Sequence, residues 1–313
     1  MAHRCEAQNL VPNGSFEETD SCWQINTWYY PETGPLGWFS TAGSGDYFLS
    51  CLPYGAFNGV PLSMIAFQYP QDGSAYVGVI TYHDNGSREY FAIELAEPLQ
   101  VGATYYASFY ASASWNGSET NPQCWVASSG VGMHFSMQAQ QWEFPDPMPP
   151  IANSAQIYAP EILADTVNWV LVSGSFVADS AYQYVIIGNH FDNPNTDTIH
   201  FGNFPWNPAA HMLIDNVCVS LDPVGCPLAV GVLEARFDGV VLFPNPAVSE
   251  VRLSGLTQNT HLWIRDALGR LVWAGSTTTG TWHMDVGRWA RGVYSLRMDQ
   301  GGTQRTFKFV LAE

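Results

Sequence analysis

Residues 104–114 read TYYASFYASAS. Tyr105, Ala107, Phe109 and Ala111 fall on one face of an extended chain, and Tyr106, Ser108 and Tyr110 on the other. Side chains along a strand alternate with a period of two, so this stretch fits a half-buried strand and not a helix. The same rhythm returns on both sides of it. SAYVGVITY (74–82), EYFAIELAEPL (89–99), GVGMHFSMQ (130–138), NWVLVSGSFVA (168–178), YQYVIIGNHF (182–191) and HMLIDNVCVSL (211–221) all read as strands. Glu97-Pro98 should close the second of these. NLVPNGSFEE (9–18) reads as a short strand ending in a polar turn. Loops rich in Gly, Pro and Asn separate the strands, the long ones at 20–73, 115–130, 142–160 and 191–210. This density of short strands and turns predicts an all-β jelly-roll sandwich over 9–222.

The whole chain has 313 residues, which predicts two domains. Hydrophobic residues make up 46%, ample for a core, and charged residues only 12%. Global disorder is therefore excluded. No apolar run is long enough for a membrane-spanning helix. The net charge of −17 is unevenly placed: −20 before Arg236 and +3 from Arg236 onward. An acidic body lacks the basic footprint that nucleic acid requires, and it repels anionic lipid. It suits neutral ligands or divalent cations held by carboxylates, and equally a plain soluble surface.

Six cysteines occur without a CxxC pair, which argues against a zinc ribbon or a thioredoxin-like site. Their wide spacing in a Trp-rich chain suggests an oxidising compartment. Cys218 with Cys226 is the first candidate disulfide and Cys22 with Cys51 the second; buried free thiols are the alternative. Residues 1–8 (MAHRCEAQ) are too short and polar for a whole signal peptide and are expected to be a disordered remnant.

The charge balance changes across 223–238 (PVGCPLAVGVLEARFD), which reads as a linker. Beyond it, over 239–313, come seven short strand candidates: VVLFPNP, EVRLSG, HLWIRDALGR, LVWAG, TWHMDV, GVYSLRMD and TFKFVLA. They predict a small immunoglobulin-like β-sandwich. Pro244 and Pro246 stiffen the approach to its first strand, and Asp266–Gly269 makes a turn. LFPNPAVSEVRLSG (242–255), IRDALGRLVWAG (264–275), RGVYSLRM (291–298) and TFKFVL (306–311) together resemble the type A C-terminal sorting domain of the Bacteroidetes type IX secretion system. The resemblance implies export to the cell surface by that machinery through 239–313.

The front part carries a second resemblance. NLVPNGSFEE (9–18), REYFAIELAEPLQVGATYYASFYAS (88–112), VGMHFS (131–136), NWVLVSGSFVA (168–178), YVIIGNH (184–190) and HMLIDNVCVS (211–220) are similar to carbohydrate-binding modules of the galactose-binding-like type. In such sandwiches a calcium ion ties the first strand to the last. The resemblance places it at Glu17 and Asp215, with carbonyls near Asn13 or Asn216, and with Glu18 replacing Glu17 if the strand faces are reversed. Calcium takes six to eight oxygens, which carboxylates and carbonyls on adjacent strands supply. The alternative is a pair of hydrogen-bonded structural acids.

Flat aromatic faces stack on sugar rings. Trp115, Trp125 and Trp142 lie between strands and are the binding candidates, against the alternative that they pin loops to the sandwich; Trp169 sits in a strand and is expected in the core. FDNPNTDT (191–198) begins like a calcium loop but lacks the glycine and the closing glutamate, so a plain polar loop is expected. Asp165-Thr166-Val167, Asp179-Ser180-Ala181 and Asp197-Thr198-Ile199 resemble the Bacteroidetes O-glycosylation signal, with Thr166, Ser180 and Thr198 as acceptors. No GxSxG, HExxH or phosphate loop occurs, and no histidines have metal-ligand spacing. The chain is therefore expected to be a non-catalytic, exported surface protein that binds glycan. The alternatives are an adhesive protein acting through protein contacts, or a glycoside hydrolase with an unrecognised acidic pair.

Overall fold

A computed structural model describes residues 9–19, 22, 34–118, 122–140, 151–206, 208–228, 240–256, 259–278, 280–300 and 303–312. The body holds β1 (Trp38–Ala42), β2 (Asp46–Leu49), β3 (Ala75–His83), β4 (Tyr90–Glu94), β5 (Thr104–Ala113), β6 (Val126–Ser128), β7 (Val131–Ser136), β8 (Ile157–Tyr158), β9 (Val170–Val177), β10 (Tyr184–Asn189), β11 (Thr198–His200) and β12 (Ala209–Ser220). One sheet runs β1-β4-β10-β7-β8. The other runs β11-β6-β12-β3-β2, with β5 pairing both β12 and β9. The two sheets stack as a jelly-roll sandwich. Tyr105, Ala107, Phe109 and Ala111 of β5 enter the core, and Phe91, Ile93, Met133, Phe135, Val185 and Ile187 meet them from the five-stranded sheet. Burying each of the larger side chains contributes roughly 1.5–3 kcal/mol.

Residues 9–18 depart from the strand expected of them. They run as turns alongside β12, where Leu10 N donates to Val219 O and Val217 N to Gly14 O. Asn13 and Phe16 have φ of 48° and 62°, which no strand allows. Gly14 lies so close to the Val217 carbonyl that a Cβ has no room. A register shift in β12 between Asp215 and Cys218, with Asn216 at φ 54°, accompanies this close approach. The long loops also contain short strands that periodicity did not reveal: β1 and β2 in the first, then β6, β8 and β11.

The tail holds the seven strands expected: β13 (Val241–Phe243), β14 (Glu250–Leu256), β15 (Thr260–Asp266), β16 (Leu271–Thr277), β17 (Gly280–Asp285), β18 (Gly292–Gln300) and β19 (Thr303–Leu311). They form a three-stranded sheet, β13-β14-β17, and a four-stranded sheet, β16-β15-β18-β19. Leu253, Leu262, Ile264, Leu296 and Phe309 fill the space between. Asn245, between the two prolines, ties the first strand to the last: its Nδ2 donates to Lys308 O, and its Oδ1 accepts from Val310 N. A separate apolar cluster joins Trp115, Trp125 and Phe201 of the body to Phe243 of the tail.

Both candidate disulfides form, Cys22–Cys51 and Cys218–Cys226. Cys124 is a free thiol, and burial pushes its pKa far up, so it stays protonated.

Candidate functional site

Neither Trp115 nor Trp125, two of the tryptophans chosen from sequence, offers a ring to a ligand. Trp115 and Trp125 are only 2% and 3% exposed. Trp115 Nε1 donates to Pro246 O at 2.8 Å, and its ring meets the edge of Phe201. Trp125 packs edge-on against His200 and Phe204. Trp142 lies outside the described residues. A tryptophan between two strands was expected at the surface, but these connections are themselves lined with apolar side chains and close over a satellite core. Trp169 is half-buried against the cluster around Phe48 and Tyr76, and its Nε1 donates to Tyr69 O at 2.8 Å.

A second group of rings lies on the outer face of the five-stranded sheet, where Tyr90, Ala92 and Ile186 are themselves buried together with Ala42 and only the rings around them are partly exposed. In β4 the residues Phe91 and Ile93 point inward, so Tyr90, Ala92 and Glu94 point outward. The same alternation turns Tyr184, Ile186 and Gly188 of β10 outward, together with Gly132 and His134 of β7. Phe39, Ala92, Ile186 and His134 thus form one cross-strand row. Tyr90 lies against Gly188, and Tyr158 of β8 against Gly132; at neither glycine is there room for a Cβ. Tyr90 and Tyr158 thus cover the glycines, and of the strand rings on this face only Phe39, Tyr184, Tyr158 and His134 reach solvent. Tyr158, 42% exposed, pairs with Phe191 at 4.8 Å between centroids, and half-buried Phe39 meets Tyr184 edge-on. Tyr90, His190 and His134 continue as a ladder of rings at 4.9 and 5.1 Å.

The histidines of this ladder are uncharged at neutral pH. Burial, reinforced by the His134 ring, pushes His190 down to about 3. Burial also lowers His134, against the opposing bond from its Nδ1 to Ser154 O. Tyr90 and His190 are themselves buried, so the face presents Phe39, Tyr184, Tyr158 and part of His134 to solvent. Its signal was present in the sequence only as the alternation of Tyr90, Ala92 and Glu94; which face of the sheet points outward, and what covers it, was not legible there.

Glu17 and Asp215 do come together at one end of the sandwich. Asp215 is fully buried; its Oδ2 accepts from Gln71 N and Asp72 N, and its Oδ1 from Asn216 N. Burial, with the Glu17 charge adding to it, outweighs these donors and raises its pKa to about 7. Glu17 accepts from Ser74 N, Ser74 Oγ and Ala75 N. Asn13 serves the turn: its side chain bonds Glu18 N, Glu18 O and Leu36 O, while its carbonyl accepts from Trp38 Nε1. No group of three His, Cys, Asp or Glu side chains placed for a metal occurs among the described residues. A cation held here would have only these two carboxylates, whose oxygens already accept backbone N–H bonds.

Of the three candidate glycosylation acceptors, Thr166 is 3% exposed and lies out of reach of a transferase in the folded body. Ser180 and Thr198 are half-exposed. The loop 192–197 is a polar loop as expected, its Asp192 side chain capping a short 3-10 turn at Asn193–Asn195.

One cluster was not anticipated. His211 Nδ1 lies 2.7 Å from Ser114 Oγ, and its Nε2 is 3.2 Å from Asp46 Oδ2, at an angle too poor for a hydrogen bond. Glu89 sits nearby, its pKa raised by burial and by Asp46. The order Ser, His, Asp resembles a nucleophile relay, but Ser114 is wholly buried and faces no substrate.

Residues 241–312 match the family described as the secretion system C-terminal sorting domain. The tail is therefore a type IX sorting domain, and it marks the chain for export to the cell surface or beyond. No curated protein is similar enough to count as a relative. Among solved structures, PorZ, a bacterial surface component of the type IX secretion system of Porphyromonas gingivalis, is similar over 32% of this chain and 14% of its own, at 23% identity and a TM-score of 0.23. The CBM22-1–GH10 modules of a Clostridium thermocellum xylanase, solved with xylohexaose, are similar over 63% of this chain and 28% of their own, at 11% identity and a TM-score of 0.31. The chain thus spans well under a third of either protein. No helix among the described residues is long and apolar enough to cross a membrane.

Proposed function

We propose that this chain is an exported, non-catalytic surface module that binds a neutral glycan on the outer face of its five-stranded sheet. The observation that supports it is the set of rings on that face that reach solvent, Phe39, Tyr184 and Tyr158. Sugar rings present apolar C–H faces that stack on aromatic planes, and their hydroxyls bond to neutral polar edges such as tyrosine and histidine. The ligand is neutral because a body carrying −20 disfavours acidic polysaccharide.

Calorimetry against a panel of neutral polysaccharides tests this reading. The expected dissociation constant is on the order of 10⁻⁴ M, as befits a few stacked rings without deep burial. Tyr158→Ala or Tyr184→Ala should weaken binding about tenfold, one lost stacking contact of about 1.4 kcal/mol. Trp115→Phe should leave it unchanged. Absence of heat across the panel would favour the adhesive reading, in which the same face meets protein.

A further inference from the structure

We infer that the sorting tail is held on the body as a docked subunit, so that severing the link between them does not by itself release it. The carrying observation is that β13 is buried on both faces. Leu242 points into the tail core, whereas Val241 and Phe243 turn the other way, into the cluster built by Trp115, Trp125 and Phe201 of the body. Phe243 is 7% exposed, and its ring lies 6.2 Å from that of Phe201. The contact is also directional. Trp115 Nε1 donates to the carbonyl of Pro246 at 2.8 Å, inside an apolar surround. Gly117 brings the body backbone against the same proline.

Each half supplies what the other lacks. Without the tail, the Trp115 indole N–H and the Phe201 ring lose their cover; without the body, Phe243 and Val241 stand on an uncovered strand. A buried donor left unpaired and an aromatic ring returned to water both oppose separation. Asn245 fixes the geometry from within the tail by bonding Lys308 O and Val310 N, which holds Pro246 O where Trp115 meets it. The Pro-Asn-Pro segment thus works twice, once to close the tail sandwich and once to seat it. The sorting domain is in this way presented in one orientation, and only by a folded body.

A cut introduced into the full chain within 229–239, followed by gel filtration at micromolar concentration, tests this. The expected result is that the tail co-elutes with the body. Phe243→Ser should weaken the association at least tenfold and shift the tail to its own elution volume. Trp115→Phe, which keeps a ring but removes the N–H, should weaken it by a smaller factor while the far-UV spectrum of the uncut chain stays unchanged. Separation of the two pieces after cutting the unsubstituted chain, whether folded or not, overturns the inference. So does continued co-elution of the cut Phe243→Ser chain, which would place the contact elsewhere.

Discussion

At Glu17 and Asp215 a solvent-exposed carboxylate stands near a buried one, each held by backbone N–H donors. Like charges there raise the energy of the ionised pair. We propose that one calcium ion sits between them, completing its shell from nearby carbonyls and removing that repulsion. An ion that binds only the folded state stabilises it by about 2.7 kcal/mol at a hundredfold excess over its Kd. Chelation should then lower the melting temperature by several degrees for a protein of this size. Asp215→Ala should abolish the calcium dependence and leave a permanently less stable chain. A melting curve that chelator does not move, together with metal analysis that finds no calcium, would identify the two residues as hydrogen-bonded structural acids.

His190, just past the end of β10, carries a different titration. His190 is neutral in the fold, lowered to about 3 by burial and by His134, against an ordinary value near 6.5. A depressed pKa means stability that is present above the unfolded value and lost as pH falls from about 6.5 toward 3. The loss approaches 1.4 kcal/mol per pH unit within that window. Glu89 and Asp215, whose pKa values are raised, act in the opposite sense. The comparison of interest is therefore between the parent chain and His190→Gln at each pH. Urea midpoints measured from pH 7 to 4 should fall less steeply in His190→Gln. Parallel curves would mean that His190 is already charged in the folded state.

For the molecule as a whole, export and folding meet at the tail. Deleting 239–313 should abolish display on the cell surface, measured by protease accessibility on intact cells. The same deletion uncovers Trp115 and Phe201, so the remaining body should stay β-structured but melt at a lower temperature than the complete chain. Normal display of the shortened chain would remove the sorting role. An unchanged melting temperature would show that the body does not depend on its tail.

Sequence alone determined the strands that alternate and the tail that repeats a known pattern. Period-two hydrophobicity is local, so β3, β4, β5, β7, β9, β10 and β12 were legible, and so were all seven strands of the tail. Both disulfides were also chosen correctly, Cys218–Cys226 because eight residues already bring its ends close. The short strands β1, β2, β6, β8 and β11 were not legible, because two to five residues carry too little periodicity. Only the tertiary structure decided which aromatic residues face water. Trp115 and Trp125 sit in connections that another part of the chain covers, while the outward tyrosines lie on strands whose second face looks no different in sequence from a core face. Exposure is set by what packs against a residue from far along the chain, and for Trp115 that partner is Pro246, 131 residues away.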